Sequence, residues 1–168
     1  MALKIYLAGA IRDFNMGDID WREKVIDKLS GEADFLNPLA GKTFNSESRK
    51  WLLNGIPSTA KTIVQQDFWC VDHADIVIFN FSGLVEKYPN IGTLCEFGRS
   101  TARPLLRYII LEQGYTGHEN SKMYGLHPFI AENAAAIFET VDSCIAFLEK
   151  QLPMLSGKAP WFKGVVNG

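Results

Sequence analysis

Ala74-Asp75-Ile76-Val77-Ile78-Phe79-Asn80-Phe81 is the stretch on which the fold turns. An apolar run of strand formers, too short for a helix, describes a strand buried on both faces, as in a parallel sheet covered by helices. Towards the N-terminus, Pro57-Ser58 opens a helical stretch that lasts to about His73. Before it, Ala40 to Gly55 mixes Gly, Asn, Ser, Lys and Arg with Phe44 and Trp51 and sustains neither period, which predicts a loop over a site. Asp34 to Pro38 reads as a brief strand broken by its proline. After Asp18, a candidate N-cap, Ile19, Val25, Ile26 and Leu29 recur at near-helical spacing until Gly31 stops them. Leu3 to Ala8 is a short buried strand closed by a tight turn at Gly9-Ala10.

Towards the C-terminus, Ser82 to Asn90 is a loop, and Gly92-Thr93 opens a helix over Leu94 to Ala102 that Pro104 ends. Leu106 to Leu111 is a strand, 113 to 128 a second long loop, Ala136 to Glu139 a short last strand and Val141 to Leu152 a last helix. Strands alternating with helices predict an α/β three-layer sandwich of flavodoxin or Rossmann type, with a mostly parallel central sheet of about five strands. Residues 1–152 form one domain in this reading. The tail, 153–168, holds Trp161, Phe162, Val165 and Val166 among its Pro and Gly, a composition suited to docking on the body or on a neighbouring subunit.

The 168 residues are 47% hydrophobic, enough for one core. With Lys+Arg 17 against Asp+Glu 19, the charge balance speaks against a nucleic-acid polymer as partner. No apolar stretch approaches the ~20 residues of a membrane helix, and the start resembles no secretory signal, so a cytoplasmic protein away from membranes is expected. Cys70, Cys95 and Cys144 are too few and too scattered for a disulfide framework or zinc knuckle; they are expected to be reduced and mostly buried.

Ligands of such sheets bind beyond the carboxyl ends of the strands, which directs attention to Gly9-Ala10-Ile11-Arg12, to Phe81-Ser82-Gly83 and to the helix start at Gly92. There Glu96 lies near a helix N-terminus, whose dipole favours the ionised form. Two roles stay open for it, a nucleophile and a solvated first-turn acid; Leu94, Cys95 and Phe97 around it predict half burial. Gly9-Ala10-Ile11-Arg12 lacks the spaced glycines of a dinucleotide fingerprint, and no P-loop occurs. Asp72 and Asp75 fit helix termination and strand start, His73 fits a helix C-cap, and no second His or Cys stands at metal-ligand spacing. Cys95 reads as a packing residue; Trp51, Trp69 and Tyr88 could stack on a base or pack in the interior.

Three segments occur in a telling order: Lys4-Ile5-Tyr6-Leu7-Ala8-Gly9, the acidic helix and strand from Gln66 to Phe81, and Gly92-x-x-x-Glu96-x-Gly98 between Asn90 and Pro104. In this the chain resembles the nucleoside 2-deoxyribosyltransferase family, with the strand order extending the likeness to about Leu152. The resemblance implies that Glu96 is a nucleophile held by Tyr6, and that Asp67 contacts the base and helps protonate it. It implies further that Gly9, Ala10, Arg12, Asn90 and Gly92 bind substrate, that no metal or organic cofactor is needed, and that a homo-oligomer completes the site. The implied partners are nucleosides or nucleotides and free nucleobases, with transfer of a deoxyribosyl group between bases through a covalent glycosyl-glutamate. Two positions depart from the family pattern: Asn90 stands where an aspartate is usual, and Pro128-Phe129-Ile130 where Pro-Phe-Asn supplies an amide, a role left to Asn133 if to any residue. Gly9-Ala10-Ile11-Arg12 is also similar to the Gly-Ser-Ile-Arg turn of the related deoxynucleoside 5′-monophosphate N-glycosidases, where the arginine meets the phosphate. A hydrolase of such monophosphates is therefore the alternative, and a non-catalytic nucleotide-binding domain a second.

Overall fold

The strand Ile76–Asn80 is buried at every position, and the rest of the molecule is arranged so that both its faces are covered. The protein, here as a computed structural model, is described over residues 2–11, 17–45, 47–48, 50–82, 90–112 and 126–157. In chain order its elements are β1 (Leu3–Gly9), α1 (Gly17–Leu29), β2 (Ala33–Leu36), β3 (Lys42–Asn45), β4 (Lys50–Leu53), β5 (Ile56–Pro57), α2 (Ala60–His73), β6 (Ile76–Asn80), α3 (Ile91–Thr101), β7 (Leu106–Ile110), α4 (Pro128–Ala131), β8 (Ala136–Phe138) and α5 (Val141–Leu155). Five strands form the central sheet in the order β2-β1-β6-β7-β8, and every neighbouring pair is parallel.

Alternation along the strands divides the core in two. Ile5, Leu7, Ile76, Ile78, Tyr108 and Ile110 meet Trp21, Val25 and Leu29 of α1 and Cys144, Ile145, Leu148 and Leu152 of α5. Tyr6, Ala8, Val77, Phe79 and Ile109 point the other way, onto Cys70 and Val71 of α2, Phe97 of α3 and Ile130 of α4. Each fully buried side chain of this kind contributes about 1.5–3 kcal/mol, so the near-continuous apolar strands are what hold three layers together.

The first polar stretch departs from the expected loop. Within 40–55 the chain forms β3 and β4, which with β5 make a separate antiparallel sheet in the order β3-β4-β5. Asn54 (φ 50°) and Gly55 (φ 80°) link Leu53 to its partner Ile56, the two-residue positive-φ turn that joins tight hairpins. Pro57 is tolerated because β5 is an edge strand. The α2 helix accordingly starts later than expected, at Ala60, with the Thr59 hydroxyl accepting a 3.1 Å hydrogen bond from the Thr62 amide. At the other end α5 runs through Pro153 to Leu155, because Leu152, fully buried, anchors its last turn in the core. Tail residues 158–168 lie outside the described residues.

Candidate active site

The sheet order reverses at β1, whose two neighbours are β2 and β6, and the crevice beyond the carboxyl ends at such a reversal is where ligands bind in this architecture. Gly9 ends β1 there, paired with Asn80 at the end of β6. A Cβ on Gly9 would stand 3.2 Å from Arg22 Nη2, 3.2 Å from Trp21 Cζ2 and 3.3 Å from Asn80 Cβ, so this position is glycine for lack of space. Arg22, fully buried on α1, fixes the strand end by donating from Nε to Leu7 O at 3.1 Å and from Nη2 to Gly9 O at 2.8 Å.

The α3 helix turns Thr93, Glu96, Phe97 and Ser100 inward, the i, i+3, i+4, i+7 stripe that faces a core. A carboxylate thus occupies a packing position. Its partner is Tyr6 on β1, fully buried, whose hydroxyl donates a 2.6 Å hydrogen bond to Glu96 Oε1. Glu96 is only 6% exposed, not half buried, and it is the sixth residue of α3, beyond the first turn, which contains no acid. The expectation of a carboxylate kept ionised by the helix start is therefore corrected. Burial pushes the Glu96 carboxyl from its usual 4.5 up to about 7; the Tyr6 hydrogen bond and Arg22 pull it down, and Asp67 adds to the rise. The Tyr6 hydroxyl is itself held well above its ordinary value, by burial first and then by Glu96, so it remains a donor.

Asp67 on α2 completes the group. Its Oδ1 is buried without a hydrogen-bond partner among the described residues, and burial raises its carboxyl above the usual range while Lys42 and Arg22 oppose the rise. An unpartnered buried carboxyl oxygen favours the protonated form. The structure thus brings Tyr6, Asp67 and Glu96 together on the face of the sheet that α2 and α3 cover. Two acids of raised pKa beside a buried hydroxyl form an acid–base pair capable of nucleophilic attack and proton donation.

The remaining sequence-expected residues divide. Ala10 sits at the β1 end, its carbonyl 3.5 Å from Arg22 Nη1. Asn90 is the residue before α3 and makes no capping bond with its side chain, and around Gly92 a Cβ would meet nothing, so its smallness serves no close approach among the described residues. Arg12 and Tyr88 lie outside the described residues. Asn133 donates its amide to Phe129 O at 2.9 Å, within its own short segment. Cys95 is exposed rather than packed, whereas Cys70 and Cys144 are buried, their thiols pushed up to about 11 and about 12 by burial. His73 stacks on Trp69 at 4.0 Å, on the outer side of α2. Asp72 binds the Arg99 side chain and so pins the end of α2 to α3, and Asp75 accepts the Lys4 amide at 2.8 Å, aligning the start of β1. Among the described residues no group of three His, Cys, Asp or Glu side chains could hold a metal, and no helix is long and apolar enough to cross a membrane.

Sequence reasoning missed Arg22, Lys42 and Asn80. Arg22 was hidden by being the polar member of an apolar-periodic helix. For Lys42, the Asn54-Gly55 pair flanked by Trp51-Leu52-Leu53 and Ile56 was a hairpin signal that could have found the small sheet.

Comparisons with known proteins bear on the whole arrangement. The family model described as nucleoside 2-deoxyribosyltransferase like matches residues 2–115. No curated protein matches by sequence. Among solved structures, a conserved protein from Enterococcus faecalis V583 is similar with a TM-score of 0.64 at 13% identity, over 90% of this chain and 99% of its own. A 2-desoxiribosyltransferase from Leishmania mexicana gives a TM-score of 0.64 at 16% identity, over 88% and 97%. A CMP N-glycosidase from Clostridium botulinum gives 0.54 at 14% identity, over 88% and 98%. At these identities the likeness is one of fold.

Proposed function

The chain belongs to the nucleoside 2-deoxyribosyltransferase-like family, and from that premise we propose that it breaks the N-glycosidic bond of a 2′-deoxynucleoside and passes the deoxyribosyl group to a second nucleobase. The observation that carries this reading is the Tyr6–Glu96 hydrogen bond of 2.6 Å, made in a buried crevice with Asp67 in electrostatic contact.

In the first displacement the Glu96 carboxylate attacks the anomeric carbon. A C–O bond to Glu96 forms as the C–N bond breaks, and the electron pair of that bond leaves with the base. Asp67, whose carboxyl burial raises above its usual range, gives its proton to the departing base. Tyr6 holds the attacking carboxylate in place and stabilises its ionised form. In the second displacement a ring nitrogen of the incoming base attacks the same carbon, its proton returns to Asp67, and Glu96 is freed with the configuration restored. A 2-deoxy sugar suits this chemistry, since it lacks the electron-withdrawing hydroxyl that disfavours positive charge at the anomeric carbon.

The test is chromatography of 2′-deoxynucleosides and their 5′-monophosphates, each with and without a second base. Exchange that depends on the acceptor supports the transferase. Release of free base without acceptor, above all from a monophosphate, makes water the acceptor and the protein an N-glycosidase. Binding without turnover of any member of the panel overturns both readings.

A further inference from the structure

Helix α3 carries three hydroxyl side chains, Thr93, Ser100 and Thr101, and they do not behave alike. Ser100 donates to Phe97 O at 2.6 Å and Thr101 to Gly98 O at 2.8 Å, each closing on the carbonyl three residues back, as hydroxyls within helices commonly do. Thr93 does not. Asn90 O, three residues before it, takes the Leu94 amide at 3.0 Å, and the Thr93 hydroxyl makes no hydrogen bond among the described residues. Yet Thr93 belongs to the inward stripe of the helix and is only 2% exposed. Among the described residues, the side-chain oxygens shut away without a partner are those of Ser58 and Asp67, so the little surface that Thr93 keeps includes its hydroxyl. An unpaired hydroxyl at so buried a residue is costly unless a ligand completes it.

The helix places this hydroxyl beside the nucleophile. Thr93 stands three residues before Glu96 on one stripe, a spacing that sets Cβ atoms ~5–6 Å apart. Helical side chains lean towards the N-terminus of their helix, so Glu96 reaches back over the turn that holds Thr93. Because α3 joins the neighbouring parallel strands β6 and β7, it runs back against them and begins at their carboxyl ends, where the crevice opens. Thr93 is therefore on the mouth side of Glu96. With Glu96 Oε1 held by Tyr6 at 2.6 Å, the other carboxyl oxygen is the one left to attack.

The stereochemistry of a nucleoside decides which of its groups meets Thr93. In a β-nucleoside the base and the 5′ carbon project from one face of the sugar ring and the 3′-hydroxyl from the other. A nucleophilic displacement reaches the anomeric carbon from the face opposite the departing base. That is the face of the 3′-hydroxyl. The helix that bears Glu96 thus looks onto the 3′ oxygen, while the 5′ group points away from it.

We propose that the Thr93 hydroxyl hydrogen-bonds the 3′-hydroxyl of the sugar and so fixes the anomeric carbon over Glu96. The proposal deepens the N-glycosidic reading and rests on it. A hydroxyl both donates and accepts, so Thr93 pairs with a sugar hydroxyl in either direction, and a sugar without the 3′ oxygen leaves it unpaired. Tyr6 sets the attacking carboxylate and Thr93 sets the carbon that it attacks, the division of labour that positioning requires.

Nucleosides that differ at one sugar oxygen provide the test: thymidine against 3′-deoxythymidine, and deoxyinosine against 2′,3′-dideoxyinosine and inosine. Turnover with an acceptor base, binding by calorimetry and melting temperature are measured for the wild type, Thr93→Val and Thr93→Ser. The wild type is expected to favour the compound with the 3′-hydroxyl by about 10- to 100-fold in kcat/KM, as one hydrogen bond to a buried group allows. Thr93→Val should bring that compound down to the level of its dideoxy counterpart, whose own turnover moves less than about threefold, and Thr93→Ser should keep the preference. The melting temperature of Thr93→Val should not fall, since no bond within the protein is lost. Equal use of both sugars by the wild type, a preference that survives Thr93→Val, or equal loss on both sugars overturns the proposal. A preference for inosine over deoxyinosine that Thr93→Val abolishes assigns the hydroxyl to the 2′ oxygen and overturns it too. If no nucleoside is turned over, tighter binding of the 3′-hydroxyl compound that Thr93→Val abolishes supports this role for Thr93 and sinks the catalytic reading alone. Equal binding, or none, sinks both.

Discussion

The Tyr6 hydroxyl reaches Glu96 Oε1 at 2.6 Å across 90 residues of sequence, and it is the protein contact that most favours charge on a carboxyl that burial makes reluctant to ionise. Attack requires the carboxylate, so kcat/KM should climb with pH through about 7 on its acid side. Tyr6→Phe removes the stabiliser of the charged form, and the acid limb should move to higher pH, with activity at neutral pH down by about 10- to 100-fold. A pH profile of the variant that falls in height with its limb unmoved would show that Tyr6 does not act on Glu96 ionisation.

Stability should run against activity at the same residue. Glu96 has a folded pKa of about 7 against 4.5 when unfolded, so between these values the unfolded chain has released the proton that the folded one retains. Stability is therefore lost as pH rises through this window, by ~3 kcal/mol at most. Glu96→Gln carries no such penalty. Urea denaturation at pH 4.5 and pH 8 should show the variant gaining on the wild type at the higher pH; a constant difference would contradict the assigned burial of charge.

Glu96→Ala should bind substrate and lose turnover by about 10³-fold or more, the scale on which a missing nucleophile is felt. A 2-fluoro-2-deoxy nucleoside, whose fluorine slows release of the sugar, should label Glu96 in the wild type and nothing in the variant. Peptide mapping that placed the sugar on another residue would falsify the nucleophile assignment.

Asp67→Asn removes the proton donor while keeping the shape of the side chain. Reaction of natural bases should fall by about 10²- to 10⁴-fold, and reaction of a base that departs without protonation should fall much less. Equal slowing of both would leave Asp67 a binding role.

Gly9→Ala places a methyl group 3.2 Å from Arg22 Nη2 and 3.2 Å from Trp21 Cζ2. Overpacking of this kind typically costs ~1–3 kcal/mol, and because Arg22 must shift, thermal melting should drop together with activity. A variant with unchanged melting would show that the strand end has room.

The central sheet was readable from sequence because burial on both faces removes the need for polar residues: Ile76 to Phe79 could be little else than an interior strand. The strands of the small sheet were opaque for the opposite reason. At four, four and two residues, with Lys, Thr and Asn on them, they are too short for any period to emerge. The proposed chemistry rests on Glu96, which its place near a helix start had already marked as a candidate, and on Tyr6 and Asp67, which only the resemblance singled out. Spacing does not reveal that residue 96 turns inward, and the rise of its pKa depends on how completely the sheet and helices exclude water. Arg22 carries no local signature, and Lys42 only the Asn54-Gly55 hairpin signal of its sheet, since a cation in a helix or a polar stretch ordinarily faces solvent.

The pairing of β1 with β6 also bears on how the protein comes into being. Lys4 and Asp75, which align the two strands, are 71 residues apart, and closing so long a segment has an entropic cost that no local contact offsets in advance. Sheets assembled from distant parallel strands form late for this reason. A chain still emerging from the ribosome can hold Tyr6 and Asp67 without Glu96, and a chain that has released β1 holds all three with no crevice between them. On the proposed reading, incomplete or damaged copies of this protein are therefore inert, and the proposed activity arrives only with the finished sheet.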